Sequence, residues 1–341
     1  MKDTLNFWRL ARSILKELRR GLRMDRTDWC YRRRNLTSNW NNGFIGMTTT
    51  KRLRDLLARP KVLMAPGAAD ALTARLIARH GFEAIYMTGA GTTAVRLGMP
   101  DVGLLTMSEM VDNAQRIADA SQLPLIADAD TGYGGPVNVQ RTVRAYERAG
   151  VAAIHLEDQQ FPKRCGHLAG KSLIPAEDMV GKIRAGLDAR TDANFMLIAR
   201  TDALAVEGFE RAMERCRRYE EAGADMIFLE APSKMEHLAA IPKAFKKPTL
   251  YNMASSGKTP FLSADEIQKL GFKLVIYPNF ALLSAITAIT HTLTELKRTG
   301  SVAGVVKDIA SFQDFFNLVG MKEVQEAETK YGVDEKTRVA Y

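Results

Sequence analysis

Acidic side chains follow two neighbouring apolar runs of the sequence at the point where each run ends. The runs span residues 123–127 and 151–156, and the acidic residues after them are Asp128, Asp130, Glu157 and Asp158. Short apolar runs about one helix apart are typical of a βαβ unit, and the functional groups of parallel strands gather at the carboxyl ends. We therefore expect the four carboxylates to face one place. With no Cys/His pair of zinc spacing beside them, they favour a hard divalent ion, Mg²⁺ or alternatively Mn²⁺.

Eight apolar runs recur from residue 47 onward, with amphipathic helical patterns between them. The runs are 62–65, 84–87, 123–127, 152–156, 195–199, 226–229, 249–251 and 274–277. Eight strands that alternate with helices predict a (β/α)8 TIM barrel, and a doubly wound open sheet is the alternative. Nearly every run ends in a polar or glycine-flanked segment, so we expect one rim of the barrel to hold a single site.

The net charge of +9 is concentrated near the amino terminus. Residues 1–46 carry eleven Lys and Arg against four Asp and Glu, so the rest of the chain is close to neutral. Nucleic-acid binding requires a basic patch on the fold itself, so we expect no nucleic-acid partner. No apolar run approaches the ~18–20 residues that span a bilayer. The three cysteines, Cys30, Cys165 and Cys216, have no framework spacing and predict free thiols in a reducing compartment, the cytoplasm.

Composition divides the chain into three predicted parts. Residues 1–46 are predicted to be a basic extension outside the fold, residues 47–299 the barrel, and residues 300–341 a helical segment that packs on the barrel or on a neighbouring subunit. Apolar residues recur at helical spacing over residues 6–23, so a targeting helix or a helix that docks on a partner are alternatives for the extension. The acidic residues of the extension do not suit a transit peptide.

Seven motifs occur in order along the predicted barrel: IYMTGAGTTAVRLGMPD, IADADTGYGG, HLEDQ, KRCGH, IARTDA, LEAP and YNM…GKTP. Through them the chain, from about residue 47 to residue 333, resembles the isocitrate lyase/phosphoenolpyruvate mutase superfamily. KRCGH resembles the carbon–carbon lyase branch, whose members cleave a 2-hydroxy carboxylate next to its hydroxyl-bearing carbon. The resemblance implies a Mg²⁺-dependent lyase that acts on a small 2-hydroxy or 2-oxo carboxylate. It also implies a homotetramer in which the last barrel helix is swapped between subunits.

Such a lyase must stabilise a carbanion and the carbonyl that forms on the hydroxyl-bearing carbon. A divalent ion that bridges the hydroxyl and carboxylate oxygens of the substrate would serve as a Lewis acid. Its expected ligands are Asp128, Asp130 and Glu157, mostly through water, and the resemblance adds Asp101.

Substrate contacts are expected along the same rim. They are Thr88, Gly89, Ala90, Gly166, Arg200, Glu230 and Asn252. Arg200 offers a planar fork for a carboxylate, and Tyr86, on the strand face shared with Thr88, is predicted to reach the substrate hydroxyl. For Glu230 the alternative is a role as hydrogen-bonding partner of other side chains. We expect His155, inside its apolar run, to belong to the core.

The resemblance makes Cys165 the proton donor to the departing carbanion, in a mobile loop. The flanking cations Lys163, Arg164 and His167 are predicted to lower the pKa of its thiol, so that it cycles between acid and base. Gly166 suits a loop that closes over substrate.

Departures from relatives bear on the substrate. Methylisocitrate lyases carry an arginine where this chain has Leu283, and a Thr-Glu pair where it has Ala254 and Ser255. A third carboxylate buried without that arginine would be costly. Fungal oxaloacetate hydrolases place a serine, associated with hydrolysis, where this chain has Pro278. We therefore expect 2,3-dimethylmalate or a 2-alkylmalate, with methylisocitrate lyase and oxaloacetate hydrolase or decarboxylase activities as alternatives.

Two alternatives belong to other classes of protein. One is a barrel that binds a 2-oxo acid without turnover, and a lyase assay with and without EDTA separates it from an enzyme. The other is an interaction protein that works through the helix predicted at residues 6–23 of the extension. It requires that deletion of residues 1–46 abolish the role of the protein and leave any lyase activity intact.

Overall fold

Eight parallel β-strands form the centre of the computed structural model, which describes residues 47–339. They are β1 (Leu63–Ala68), β2 (Ile85–Met87), β3 (Leu125–Asp128), β4 (Ala153–Glu157), β5 (Met196–Thr201), β6 (Met226–Leu229), β7 (Leu250–Asn252) and β8 (Leu274–Tyr277). The strands pair in chain order from β1 to β6, and β8 pairs with both β1 and β7. A parallel bridge between Ile227 and Thr249 connects β6 to the start of β7. The barrel is thus nearly closed, and the predicted (β/α)8 fold is confirmed.

Helices alternate with the strands and cover the outside of the barrel. They are α1 (Thr49–Ala58), α2 (Ala71–Arg79), α3 (Gly89–Leu97), α4 (Met107–Ser121), α5 (Pro136–Arg148), α6 (Ala176–Ala189), α7 (Leu204–Glu207), α8 (Phe209–Glu221), α9 (Met235–Ala244), α10 (Ala264–Leu270), α11 (Phe280–Thr299), α12 (Phe312–Val319) and α13 (Met321–Lys330). Local sequence starts several of them. Thr106 and Ser263 each form a capping box with a glutamate three residues later, which satisfies N–H groups that the first helical turn leaves free.

Two apolar layers hold the barrel together. The larger layer lies between the strands and the helices, and the smaller one fills the barrel interior with residues such as Ile126 and Phe228. Leu53, Leu56 and Leu57 of α1 belong to the inner layer and close the amino-terminal end of the barrel. Burial of each leucine contributes about 1.5–3 kcal/mol. One end is therefore sealed by packing, and the carboxyl end of the strands is left for a ligand.

The long helix α11 has 20 residues, and none of them is buried. Ile286, Ile289 and Leu293 are each half exposed or more, which makes a row of apolar side chains along one helix. In the tail, α12 lies against α2, where Arg75 Nη1 is 3.5 Å from the Leu318 carbonyl oxygen. Phe312 of α12 remains 65% exposed.

No helix between residues 47 and 339 is long and apolar enough to cross a membrane. The amphipathic helix predicted at residues 6–23 lies outside the described residues, as does Cys30. The predicted division of the chain at residues 46 and 299 stays a prediction.

Candidate active site

Three of the predicted metal ligands lie where β3 and β4 end. Asp128 is the last residue of β3 and Glu157 the last of β4, and both carboxylates are buried, as is that of Asp130. Asp130 has a φ of 46°, a left-handed conformation that costs about 1–2 kcal/mol. Its N–H donates to Asp128 Oδ1 at 3.0 Å, and its carbonyl accepts from the Glu157 N–H at 2.9 Å. These bonds hold the three acidic residues together at the rim.

The Lys163 ammonium lies within an acidic rim that comprises Asp101, Asp128, Asp130 and Glu157. Lys163 Nζ is 2.6 Å from Asp101 Oδ1 and 2.6 Å from Asp130 Oδ1. Burial alone would lower the pKa of Lys163, but the surrounding carboxylates outweigh burial and hold that pKa well above its ordinary value. Burial raises the pKa of Asp130 to about 6 despite Lys163, with Asp128 and Asp101 adding to the rise. The positive charge of Lys163 therefore neutralises part of the negative charge of the acidic rim.

Glu157 is the least satisfied member of the acidic rim. It is fully buried, and neither carboxylate oxygen accepts a hydrogen bond, although Arg200 Nη1 lies 3.2 Å from Oε2. Arg200 directs its fork at Asp202 instead, with Nε 3.0 Å from Oδ2 and Nη2 3.3 Å from Oδ1. The Arg200 fork is thus occupied by the carboxylate of Asp202, which lies just past the end of β5. A substrate contact by Arg200 stays a prediction.

Asp158 does not join the acidic rim, so the expectation of four convergent carboxylates is wrong. Its Oδ2 accepts hydrogen bonds from Thr201 Oγ1 and from the Tyr219 hydroxyl, each at 2.7 Å. Its Oδ1 accepts from the Asp202 N–H at 3.0 Å. Successive side chains along extended backbone point to opposite faces, so when Glu157 faces the barrel mouth Asp158 faces the surrounding helices.

Tyr86 and His155 form a buried pair below the acidic rim. The Tyr86 hydroxyl lies 2.8 Å from His155 Nε2, and the same nitrogen is 3.7 Å from Asp128 Oδ1. Burial lowers the pKa of His155 to about 4, so the ring is neutral at physiological pH. The expectation that His155 belongs to the core holds for its burial, yet it contacts two predicted site residues. A contact from Tyr86 to a substrate hydroxyl stays a prediction.

The amino terminus of α3 faces the acidic rim. Thr88 caps this helix: its Oγ1 accepts from the Gly91 N–H at 3.1 Å and donates to Asn279 Oδ1 at 2.9 Å. A Cβ on Gly89 would lie 2.4 Å from Asp128 Oδ2, so only glycine lets the helix approach so closely. The N–H groups of Gly89 and Ala90, in the first turn, have no carbonyl partner within the helix and can donate to an anionic oxygen.

Cys165 lies in the cysteine loop, residues 161–172, which follows β4. The Cys165 N–H donates to the Asp101 carbonyl at 3.2 Å. Burial raises the pKa of the Cys165 thiol, so the prediction that neighbouring cations lower it is wrong. The physical reason is where those cations lie: Lys163 is paired with carboxylates, and Arg164 Nη1 donates to the Ala169 carbonyl at 3.1 Å.

Gly166 lies where the cysteine loop packs closely against Arg200 and Glu230, and only glycine fits at this position. A Cβ there would lie 2.4 Å from Arg200 Nη2 and 2.8 Å from Glu230 Cγ. The sequence predicts this glycine in a loop that closes over substrate. The structure adds that the loop backbone rests directly on two predicted substrate contacts.

Glu230 is a junction for side chains on the far wall of the site. Asn252 Nδ2 donates to both Glu230 oxygens, at 3.1 and 3.2 Å, and His167 Nε2 lies 3.1 Å from Oε1. Burial alone would raise the pKa of Glu230, but Arg200 and His167 outweigh it and lower that pKa to about 2. The alternative that Glu230 is a hydrogen-bonding partner of other side chains agrees with this geometry.

Several residues that hold the site together were not predicted. They are Gln159, Lys171, Ser256 and Asn279. Lys171 Nζ is 3.1 Å from Asp202 Oδ1, and Ser256 Oγ is 2.7 Å from His167 Nδ1. Each bond joins parts of the chain far apart in sequence, apart from the local bond that Gln159 makes. For Gln159 the sequence did offer a signal, because it follows Glu157 and Asp158 directly in the motif HLEDQ.

Comparison with known proteins gives a consistent set of relatives. The sequence model of the family described as phosphoenolpyruvate phosphomutase matches residues 53–297. The chain is 47% identical over 285 residues to the 2,3-dimethylmalate lyase of Eubacterium barkeri, which covers 84% of this chain and 99% of that protein. It is 42% identical over 278 residues to a 2-methylisocitrate lyase of Aeropyrum pernix, which covers 82% of this chain and 89% of that protein. A crystal structure of 2,3-dimethylmalate lyase, described as a PEP mutase/isocitrate lyase superfamily member, superposes with a TM-score of 0.81 at 40% identity, over 86% of this chain and 99% of that one.

The nearly closed barrel, with its acidic rim and a cysteine loop above it, together with these lyase relatives, defines an enzyme of the carbon–carbon lyase class. The chain belongs to the phosphoenolpyruvate phosphomutase family, within the PEP mutase/isocitrate lyase superfamily.

Proposed function

We propose that this enzyme cleaves a 2-hydroxy dicarboxylate, 2,3-dimethylmalate or a 2-alkylmalate, to pyruvate or another 2-oxo acid plus a simple carboxylate. The main support is that the cationic side chains around the site are already paired with carboxylates of the protein. Lys163 is paired with Asp101 and Asp130, and Lys171 with Asp202. Arg200 lies within ion-pair distance of three carboxylates.

Of these three cations we assign Arg200 to the end of the substrate that becomes the 2-oxo acid, so none is left for a third substrate carboxylate. A charge buried without a partner costs several kcal/mol, so a tricarboxylate such as 2-methylisocitrate is disfavoured. The 47% identity to a 2,3-dimethylmalate lyase supports the same choice.

A divalent ion, Mg²⁺ or Mn²⁺, fits the acidic rim. The site presents six buried carboxylates, Asp101, Asp128, Asp130, Glu157, Asp202 and Glu230, against three buried cationic side chains. A substrate dianion entering this excess of negative charge needs a further cation. The unbonded carboxylate oxygens of Glu157 are free to receive one or its water ligands. Within residues 47–339 no three His, Cys, Asp or Glu side chains are placed to coordinate one ion directly, which suits Mg²⁺, because it keeps most of its waters.

In this proposal Asp101, Asp128, Asp130 and Glu157 hold the ion, and when bound it supplies Lewis-acid polarisation of the substrate oxygens. The N–H groups at the start of α3 and the guanidinium of Arg200 bind the end of the substrate that becomes the 2-oxo acid.

As the substrate hydroxyl becomes a carbonyl, its proton passes to a carboxylate of the acidic rim, and the electron pair of the broken C–C bond moves to the departing carbon. The Cys165 thiol donates the proton that this carbon requires. After product release the proton held by the acidic rim returns through water to the Cys165 thiolate, so the enzyme ends in its starting state. The raised pKa of Cys165 suits this role, because the thiol carries its proton at neutral pH.

We also propose that the enzyme is a cytoplasmic homotetramer in which α11 packs on a second copy of the chain. The support is the row of exposed apolar residues on α11, of which Ile289 is 57% exposed. Burial of such a row against a second copy is the simplest way to remove it from water. Size-exclusion chromatography with light scattering tests this: the wild type should run as a tetramer, and Ile289→Glu should reduce its size. A monomeric wild type would contradict the assembly.

A substrate panel tests the proposed reaction. The panel comprises 2-methylmalate, 2-ethylmalate, 2,3-dimethylmalate, 2-methylisocitrate and oxaloacetate, each scored for release of a 2-oxo acid or oxalate, with and without EDTA. We expect the highest kcat/KM for 2,3-dimethylmalate or a 2-alkylmalate, a gain of about fourfold per added methylene until the pocket is full, and loss of turnover in EDTA. Turnover that EDTA leaves unchanged would contradict the metal assignment.

Cleavage of 2-methylisocitrate is the second candidate, because the Aeropyrum pernix relative of that name is 42% identical. A preference of about tenfold or more for 2-methylisocitrate would overturn the dicarboxylate proposal. Leu283, in the first turn of α11 and 43% exposed, is the position to vary. Leu283→Arg should move preference toward 2-methylisocitrate, and release of oxalate from oxaloacetate would instead indicate a hydrolase.

A further inference from the structure

The cysteine loop is closed at its base by a short neck. Gln159 and Leu173 form an antiparallel bridge, and the Gln160 N–H donates to the Ser172 carbonyl at 2.8 Å. The Ile174 N–H donates to the Asp158 carbonyl at 3.0 Å. These bonds fix where the loop leaves and rejoins the barrel, but none of them reaches its centre.

The side chain of Gln159 reaches from the neck into the loop. Its Nε2 donates to the Arg164 carbonyl at 2.8 Å, and its Oε1 accepts from the Arg164 N–H at 3.0 Å. Gln159 is 1% exposed, so water does not compete for this amide. The residue it holds by both backbone groups is the one immediately before Cys165.

The residues on either side of Arg164 are held by other parts of the barrel. Lys163 is held by Asp101 and Asp130, and the Cys165 N–H is held by the Asp101 carbonyl. Gln159 holds Arg164 from the neck of the loop, just past the end of β4, and not from the segment that contains Asp101. Three consecutive residues are thus fixed, and the thiol is placed at the end of the series.

The two hydrogen bonds to the Arg164 backbone require a side-chain carboxamide of this length. One end must donate and the other accept, which glutamate, methionine and leucine do not do. Asparagine lacks one methylene and would fall short of a partner held at 2.8–3.0 Å.

We propose that Gln159 is a positioning residue for Cys165: it holds the closed conformation of the cysteine loop through the backbone of Arg164. Its catalytic consequence rests on the proposed function, in which Cys165 donates the proton. Its structural consequence, the closed position of the loop that carries Cys165, is independent of which substrate the enzyme takes.

The test uses the full chain carrying Gln159→Met, an apolar side chain of similar length that suits a buried position. Alkylation of Cys165 by iodoacetamide, followed on its own peptide by mass spectrometry, should become about 10- to 100-fold faster, because loss of two hydrogen bonds shifts the loop toward open conformations. On the preferred substrate kcat should fall by about the same factor, while KM changes less than about threefold. Gln159→Glu keeps the polarity and length but loses the donor to the Arg164 carbonyl, and should show the same two effects.

Gln160→Met is the matched control, because the Gln160 side chain is exposed and its neck bond is made by the backbone. It should leave the alkylation rate, kcat and the melting temperature at wild-type values. Unchanged alkylation and kcat in both Gln159 variants would overturn the inference, and so would a fall in kcat with a wild-type alkylation rate. Faster alkylation of the buried Cys216 alongside Cys165 would indicate general unfolding and would also overturn it. If the wild type cleaves nothing on the panel, the alkylation arm still decides whether Gln159 closes the loop.

Discussion

Glu157 and Asp158 are adjacent carboxylates at the end of β4, and they face two different regions of the molecule. Glu157 faces the barrel mouth, where its oxygens accept no hydrogen bond and Arg200 lies at 3.2 Å. Asp158 faces the helices outside, where Thr201, Tyr219 and the Asp202 N–H donate to it at 2.7–3.0 Å. Both are completely buried.

The contrast separates a site from a structural network. A buried carboxylate with a full set of donors has no capacity left for a ligand, so the Asp158 network fastens α8 to the barrel and does no more. A buried carboxylate that lacks donors is costly unless something else completes it. Electrostatics follow the same division: burial raises the pKa of Glu157 well above its ordinary value, whereas hydrogen bonds from Thr201 and Asp202 offset much of that effect at Asp158.

The largest expected effect is a loss of activity at the barrel mouth, which we call the inner side; the helices around Asp158 are the outer side. Asp128→Ala should lower kcat by about a thousandfold or more, because several kcal/mol of transition-state stabilisation go with the metal ion. The melting temperature should hardly change, since the variant removes one negative charge from a crowd of them. Activity and Mg²⁺ dependence are measured together with thermal unfolding. Retention of more than a few per cent of activity with normal Mg²⁺ dependence would remove Asp128 from the metal site.

Cys165→Ser tests the inner side further, because it separates proton donation from ligand binding. Its kcat should fall by about two to four orders of magnitude, the usual contribution of a positioned proton donor. Binding of oxalate, measured by calorimetry in the presence of Mg²⁺, should stay near the wild-type value, because those contacts belong to α3 and Arg200. Loss of oxalate binding would show that the cysteine is structural and that the proposed mechanism is wrong.

The outer side should respond in stability. Arg215 Nη1 also lies 3.4 Å from Asp158 Oδ2. Asp158→Ala leaves Thr201, Tyr219 and Arg215 without their buried partner, so the free energy of unfolding should fall by about 2–4 kcal/mol. Below the melting temperature kcat should remain within about tenfold of wild type. Asp158→Asn retains part of the hydrogen bonding. Its free energy of unfolding, measured in urea, should lie between those of the wild type and Asp158→Ala. A collapse of kcat at unchanged stability would place Asp158 in the active site after all.

Side chains alternate between the two faces of extended backbone, and this alternation continues past the end of β4, so it predicts opposite faces for Glu157 and Asp158. The barrel and the positions of Asp128, Asp130 and Glu157 followed from apolar runs and what terminates them, which are local properties of the chain. The sorting of neighbouring side chains into inner and outer faces is also a local property, so the outward direction of Asp158 can be predicted from sequence.

The partners of the cations were not open to sequence reasoning. Lys163 meets Asp101, 62 positions earlier, because the cysteine loop folds back over the rim. Arg200 meets Asp202 in a rotamer that no spacing reveals. The pKa of Cys165 is raised mainly by burial, which also depends on how the loop folds onto the barrel. A motif of three cations around a thiol therefore predicted a lowered pKa where the folded chain raises it.

The smallest predicted effect compares one thiol from each side of β4. Cys165 lies at the barrel mouth and is partly exposed, whereas Cys216 of α8 is fully buried next to the Asp158 network. Burial raises the pKa of both thiols, so at a given pH below the raised pKa each is less ionised in the folded chain than in the unfolded one. Iodoacetamide reacts with the thiolate.

In the folded enzyme the alkylation rate of Cys165 should therefore be lower near pH 8 than in the urea-unfolded chain, and should rise with an inflection at higher pH. Above that inflection the difference in ionisation disappears and only restricted access remains. Cys216 should react more slowly still at every pH, because reagent reaches it only through local unfolding of α8. Peptide mass spectrometry follows each cysteine separately, with Cys165→Ser to confirm the assignment. An inflection for Cys165 below that of the unfolded chain would mean that Lys163 or His167 acts on the thiol in solution. The inner side would then be a cation-activated thiolate site, and the proton donor of the lyase reaction would have to be sought elsewhere on the rim.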